Sequence, residues 1–206
     1  MFSSIGAALV WEALTLARRR LPDVEVVTRE GSTPALVRGL RAATLDLALI
    51  SSRPPYPAPD DQDPPLELEV LLEGDLLGAV PAAGDLGRDG SVSLAELESS
   101  VWITSPQPLG EPALGVWPAL ARRPAVGHQT GDWLSKLALV AGGWGVTTLP
   151  PSLVALVPAA VRVVRVTGGA PVTRRLWLAR VPGVEDGALD GVAGCLREAA
   201  SHLPVH

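Results

Sequence analysis

Residues 130–150, TGDWLSKLALVAGGWGVTTLP, place a helix start, a helix stop and a buried strand in one short run. Thr130 or Asp132 supplies a side-chain oxygen for the free N–H groups of a first helical turn, and Trp133, Leu137 and Val140 recur at helical spacing. Gly142 and Gly143 end the helix, and residues 146–149 form an apolar, β-branched strand that Pro150 closes. Lys136, the only lysine in the chain, lies mid-helix. A strand is expected just upstream, over residues 126–129, so the helix N-terminus follows a strand end and offers unpaired N–H groups to an anion or polar ligand. Ordinary packing of a helix on a strand gives the same pattern, so this unit alone assigns no function.

Outward from this run the pattern of helix and strand repeats. Residues 6–20 carry Leu9, Val10, Ala13, Leu14 and Ala17 on one helical face, and a turn at Pro22-Asp23 leads to a predicted strand over 24–28. Thr33-Pro34 reads as a hydroxyl N-cap followed by proline at the first helical position, with Leu36, Val37 and Leu40 on the buried face. The nearly continuous apolar run 45–50 has the pattern of a parallel strand covered on both faces. Further strands are expected over 66–72, 76–80, 101–104, 161–166 and 174–181. A short helix opens at the capping box Ser93-Leu-Ala-Glu96, a weaker one covers 111–123, and an amphipathic helix closes the chain over 189–203.

Composition narrows the function. A chain of 206 residues with 47% hydrophobic residues and mean hydropathy +0.27 is expected to be globular, and its net charge of −5 argues against electrostatic binding of nucleic acid. The densest basic run, Arg18-Arg19-Arg20, sits where a helix C-terminus favours positive charge. Cys195 is the single cysteine, which excludes an internal disulfide and suits a reducing compartment. With no membrane-length apolar stretch and no secretory signal pattern, a cytoplasmic protein is expected.

Catalytic and cofactor motifs are missing from the pattern. No serine sits in a G-x-S-x-G elbow, and neither a phosphate-binding loop nor a dinucleotide glycine fingerprint is present. His128 stands in an apolar strand without a second ligand at metal spacing, and the remaining histidines, His202 and His206, lie in the tail. Asp60, Asp61 and Asp63 sit among six prolines in residues 54–65, without the histidine or glycine a metal loop would need, so a solvated loop is favoured there over a metal site. No cofactor and no metal are expected.

The element order divides economically into two α/β lobes, with the chain crossing out near Asp75 and back near Pro171 and a cleft between them. Hydroxyls stand at five expected strand ends: Ser3-Ser4, Ser32-Thr33, Ser51-Ser52, Thr104-Ser105 and Thr130. Ligands of such sheets lie outside the carboxyl ends of the strands, and this repetition points to a polar small molecule in the cleft.

The sequence also resembles the effector-binding (substrate-binding) domain of LysR-type transcriptional regulators. The resemblance is carried by Phe2-Ser-Ser-Ile-Gly6, Leu21-Pro-Asp-Val-Glu-Val26, Arg29-Glu-Gly-Ser-Thr33, Leu45-Asp-Leu-Ala-Leu49, Leu71-Leu-Glu-Gly-Asp-Leu76, Ser93-Leu-Ala-Glu-Leu97 and above all residues 139–150. It implies two Rossmann-like lobes of the type 2 periplasmic-binding-protein fold joined by a two-strand hinge, 1–74 with 172–206 and 75–171. It further implies a small-molecule effector, a homodimer and no catalysis. Carried over by position, the effector contacts would be Ser3, Ser4, Ser32, Thr33, Ser51, Thr104, Ser105, Thr130 and Asp132. Members of the family contact DNA through an N-terminal winged helix-turn-helix, so DNA binding is expected only through such a head. The family's first strand precedes Phe2, which leads to the expectation of a gap in the first lobe. Where dicarboxylate-binding members carry arginines, this chain has Ser51 and Glu73, which disfavours a small dianion. Two other readings share the fold: a solute-binding protein, and a lyase-type enzyme for which Thr130 and Asp132 are the candidate groups.

Overall fold

Side-chain alternation along one short strand organises the first half of the molecule. The computed structural model describes residues 9–106, 115–118 and 120–203. In chain order these form α1 (Trp11–Arg20), α2 (Thr33–Arg41), β1 (Ala48–Ser52), β2 (Glu67–Asp75), β3 (Leu77–Pro81), β4 (Ser91–Ser93), α3 (Leu94–Glu98), β5 (Val101–Thr104) and β6 (Ala125–Gln129). Then follow α4 (Trp133–Ala141), β7 (Thr147–Leu149), a 3-10 helix (Pro151–Leu156), β8 (Val161–Thr167), β9 (Thr173–Arg180) and α5 (Gly187–Ser201). The chain divides into two compact units, Met1–Gly74 with Thr173–His206, and Asp75–Val172.

In the first unit the sheet order is β1-β9-β2, and β1 runs antiparallel to β9 from Ala48 opposite Ala179 to Ser52 opposite Arg175. Leu49 packs with Ala13 of α1 and Leu196 of α5, whereas Ala48 and Ile50 pack with Leu36, Val37 and Leu40 of α2. Helices therefore cover both faces, which is why residues 47–50 are apolar without alternation. The inference of two covered faces from that run is correct; among the described residues the ladder partner of β1 is β9, which is antiparallel rather than parallel, because burial on both faces fixes hydrophobicity but not strand direction.

Two more expectations change in this unit. Residues 24–28 form no strand, and none of the described residues is laddered to them; they run beside a cavity of 520 Å3, lined by Val24, Val26, Ala13, Ala17, Leu47 and Leu49 among others. A β-branched alternating run becomes a strand only when a neighbour satisfies its backbone. At α2 the N-cap is Ser32 rather than Thr33, it makes no side-chain cap bond, and Pro34 falls within the first two helical positions.

In the second unit a four-stranded sheet, β4-β8-β3-β7, lies with a parallel pair, β5-β6, and β5 continues toward β7 through a parallel bridge between Trp102 and Val146. Trp102 packs with Leu97, Val116 and Trp117, and its indole N–H donates to Leu97 O at 3.2 Å. Its neighbour Ile103 faces the other way, onto Leu137 and Val140 of α4. The expected helix over 111–123 lies partly outside the described residues. Residues 115–118 and 120–123 are turns and loop, consistent with Gly115 and Pro118 breaking the helical pattern.

Candidate functional site

The helix start anticipated at residues 130–132 is built by both candidate caps, each with a different task. The Asp132 carboxylate accepts the Ser135 N–H at 2.6 Å and so caps α4. Thr130 Oγ1 accepts the Asp132 N–H at 3.2 Å, while the Thr130 N–H donates to Thr104 O at 2.9 Å. That last bond holds the ends of β5 and β6 beside the first turn of the helix. Hydrogen bonds from Ser135 hold the Asp132 carboxyl below the ordinary aspartate value.

The far end of α4 is fixed just as locally. Gly143 has φ +78° and donates to Val140 O, and the Trp144 N–H reaches back to Leu139 O, which together make a Schellman stop. Two residues on, a Cβ at Gly145 would stand 2.5 Å from Val101 O. The glycine lets the chain pass close against β5, so the Val146 N–H can donate to Val101 O at 2.8 Å.

Between these ends lies a residue that sequence reasoning passed over. Lys136 is only 1% exposed; its ammonium donates to Ser105 Oγ at 2.9 Å and lies 4.5 Å from the centroid of the Trp133 ring. Burial pushes its pKa down to about 8. The signal was present in the spacing, since Lys136 is three residues after Trp133 and four before Val140, on the buried stripe of the helix. Next to Ser105, Thr104 is likewise 1% exposed, and its Oγ1 has no hydrogen-bond partner among the described residues. Thr147 is committed to structure, its hydroxyl donating to Ile103 O at 2.9 Å.

In the second unit, then, the structure brings Thr104, Ser105, Thr130 and Asp132 to one end of the β5-β6 pair and adds Lys136 to them. In the first unit Ser32 is exposed at the N-cap of α2, Thr33 is its first residue, and Ser51 is half-buried in β1 opposite Leu176. Ser3 and Ser4 lie outside the described residues. Beside Ser51, Ser52 Oγ accepts the Trp177 indole N–H at 2.6 Å, and Tyr56 meets Trp177 edge-on at 6.2 Å. The Arg175 guanidinium stacks 4.1 Å over Tyr56 and pairs with Glu73. Burial and the neighbouring charge of Arg53 hold Arg174 below the ordinary arginine value.

The acidic loop has a structural occupation of its own. Asp60 is bound by the Arg41 guanidinium at 2.7 and 3.2 Å, with both side chains nearly buried. Among the described residues, no three His, Cys, Asp or Glu side chains come together to hold a metal.

Comparison with known proteins places this architecture. The HTH-type transcriptional regulator YnfL of Escherichia coli (strain K12) is 29% identical over 147 residues, 69% of this chain and 47% of that protein. The chain spans about half the length of the curated relatives it matches. Among solved structures, the effector binding domain of a BenM variant superposes with TM-score 0.76 at 18% identity, covering 100% of this chain and 94% of that one. The effector binding domain of QuiR in complex with shikimate gives 0.72 at 18% identity, covering 98% and 96%. These likenesses establish the α/β, periplasmic-binding-protein-like fold. The family model for the LysR substrate binding domain matches residues 1–201, and the chain belongs to that family.

Proposed function

We propose that this chain is the effector-binding domain of a LysR-type transcriptional regulator, a binding module rather than an enzyme. The observation that carries the reading is the grouping of Thr104, Ser105, Thr130 and Asp132 at the N-terminal end of α4, in a chain that matches the family over residues 1–201. Residues 1–74 with 172–206 act as one lobe and residues 75–171 as the other. Ser32, Thr33 and Ser51 contribute contacts from the first lobe, and Ser3 and Ser4 belong to the same proposed set. An effector shifts the equilibrium between alternative arrangements of the domain by the difference in its affinity for them, and no more than that. The change is read out through pairing with a second copy, and DNA is reached through a helix-turn-helix domain of the whole regulator, in the cytoplasm. Among the described residues no helix is long and apolar enough to cross a membrane.

A thermal-shift screen over classes of polar metabolites tests the reading. We expect one class to raise the melting temperature saturably, and Ser105→Ala or Thr130→Val to weaken that response. A melting point unmoved by every class would overturn it.

A further inference from the structure

We propose that the Lys136 ammonium is the counter-charge for a carboxylate on the effector, with the Ser105 and Thr130 hydroxyls completing the anion's hydrogen bonds. The inference rests on the effector-binding reading above and names the ligand class.

Lys136 carries a charge that the described residues leave without a counter-ion. It forms no ion pair among them, and burial alone accounts for the fall in its pKa. Of its three N–H donors one goes to Ser105 Oγ, and Trp133 offers a π face rather than an acceptor. Asp132, the acid one turn earlier, already accepts the Ser135 N–H as the helix cap and is itself exposed. A buried ammonium without a partner is strongly disfavoured unless something supplies the opposite charge or the proton leaves.

The surroundings suit an arriving anion. Lys136 is the fourth residue of a nine-residue helix, so its charge adds to the positive end of the helix dipole. Ser105 is half-exposed, which makes it the accessible edge of the buried lysine. Thr104 beside it keeps a buried hydroxyl without a partner among the described residues. Thr130 Oγ1 accepts from Asp132 and keeps its own hydrogen to donate. One ammonium with two or three neutral donors matches a monoanion; a phosphate dianion calls for more positive charge than these groups hold.

Because Lys136 is the only lysine, a protein labelled with 15N and 13C in lysine alone gives one side-chain ammonium signal. The test titrates this protein with phenylacetate and cyclohexanecarboxylate, with their neutral amides, and with inorganic phosphate, following that signal and the melting temperature together. We expect a saturable shift of the Lys136 signal with a carboxylate and none with its amide, and an affinity at least about 10-fold weaker in Lys136→Met. Lys136→Arg, which keeps the charge, should retain a measurable part of the binding. Amides that raise the melting temperature as carboxylates do, with the lysine signal unmoved, would overturn the carboxylate assignment while the effector-binding reading stands. Carboxylate binding unchanged in Lys136→Met, or a response to phosphate alone, overturns it too. So does a lysine signal indifferent to every anion, whatever the wider metabolite screen returns for the domain.

Discussion

The Lys136 ammonium donates to the Ser105 hydroxyl at 2.9 Å, joining the first turns of α4 to the residue that follows β5. One partner is almost wholly buried and the other half-exposed. The bond thus runs from core to surface, and both stability and recognition depend on the charge at its inner end.

Replacing Lys136 by methionine should stabilise the ligand-free domain near neutral pH. The folded-state pKa of about 8 lies below the ordinary lysine value of 10.5, so burial of the charge opposes folding below pH 8. Between these two values the unfolded chain binds more protons than the folded one, and wild-type stability rises with pH. The difference from Lys136→Met is expected to approach about 3 kcal/mol at pH 7 and to shrink steadily between pH 8 and 10. Urea unfolding of both proteins at pH 7, 9 and 10 measures it; a constant difference would show that the lysine does not titrate in this window.

Thr104→Val should raise the stability of the free domain by about 1 kcal/mol, because it replaces a buried hydroxyl that has no partner among the described residues by a methyl of similar size. The same substitution should weaken any ligand that hydrogen-bonds to that hydroxyl. Chemical denaturation and ligand titration of one variant therefore separate the two roles.

The glycines after α4 should differ in sensitivity. Gly145→Ala drives a Cβ to within 2.5 Å of Val101 O and is expected to cost about 2 kcal/mol or more. Gly143→Ala meets nothing within 4 Å and suffers only its positive φ, a penalty of about 1 kcal/mol. Equal urea midpoints for the two variants would contradict this geometry.

Asp132→Asn should blunt the acid sensitivity of α4. The Asp132 carboxyl titrates below its unfolded value in the folded domain, so its contribution is present above about pH 4 and is lost as pH falls through the folded value. Melting curves from pH 5 to pH 2 should show the wild type losing its advantage over Asp132→Asn toward the acid end.

Local pattern made much of the second unit legible. The Ser93 and Glu96 side chains and the glycine stop after Ala141 act between residues at most five apart, and each appears where the spacing predicts. The family likewise follows from ordered short motifs. Other features had no such local cause. The direction of β1 is set by β9, more than 120 residues away, and residues 24–28 lack a strand because none of the described residues is laddered to them.

The sequence by itself determined α1, α3, α4 and α5, the caps at Ser93 and Asp132, the buried faces of these helices and the family, because each follows from side chains a few positions apart. Only the tertiary structure decided strand direction and the company Lys136 keeps. Ser105 reaches the lysine from 31 residues away, and the shell that strips it of water is assembled only when α4 packs against β3 and β5. Burial changes the chemistry of a charged group, and burial is a property of the assembled core.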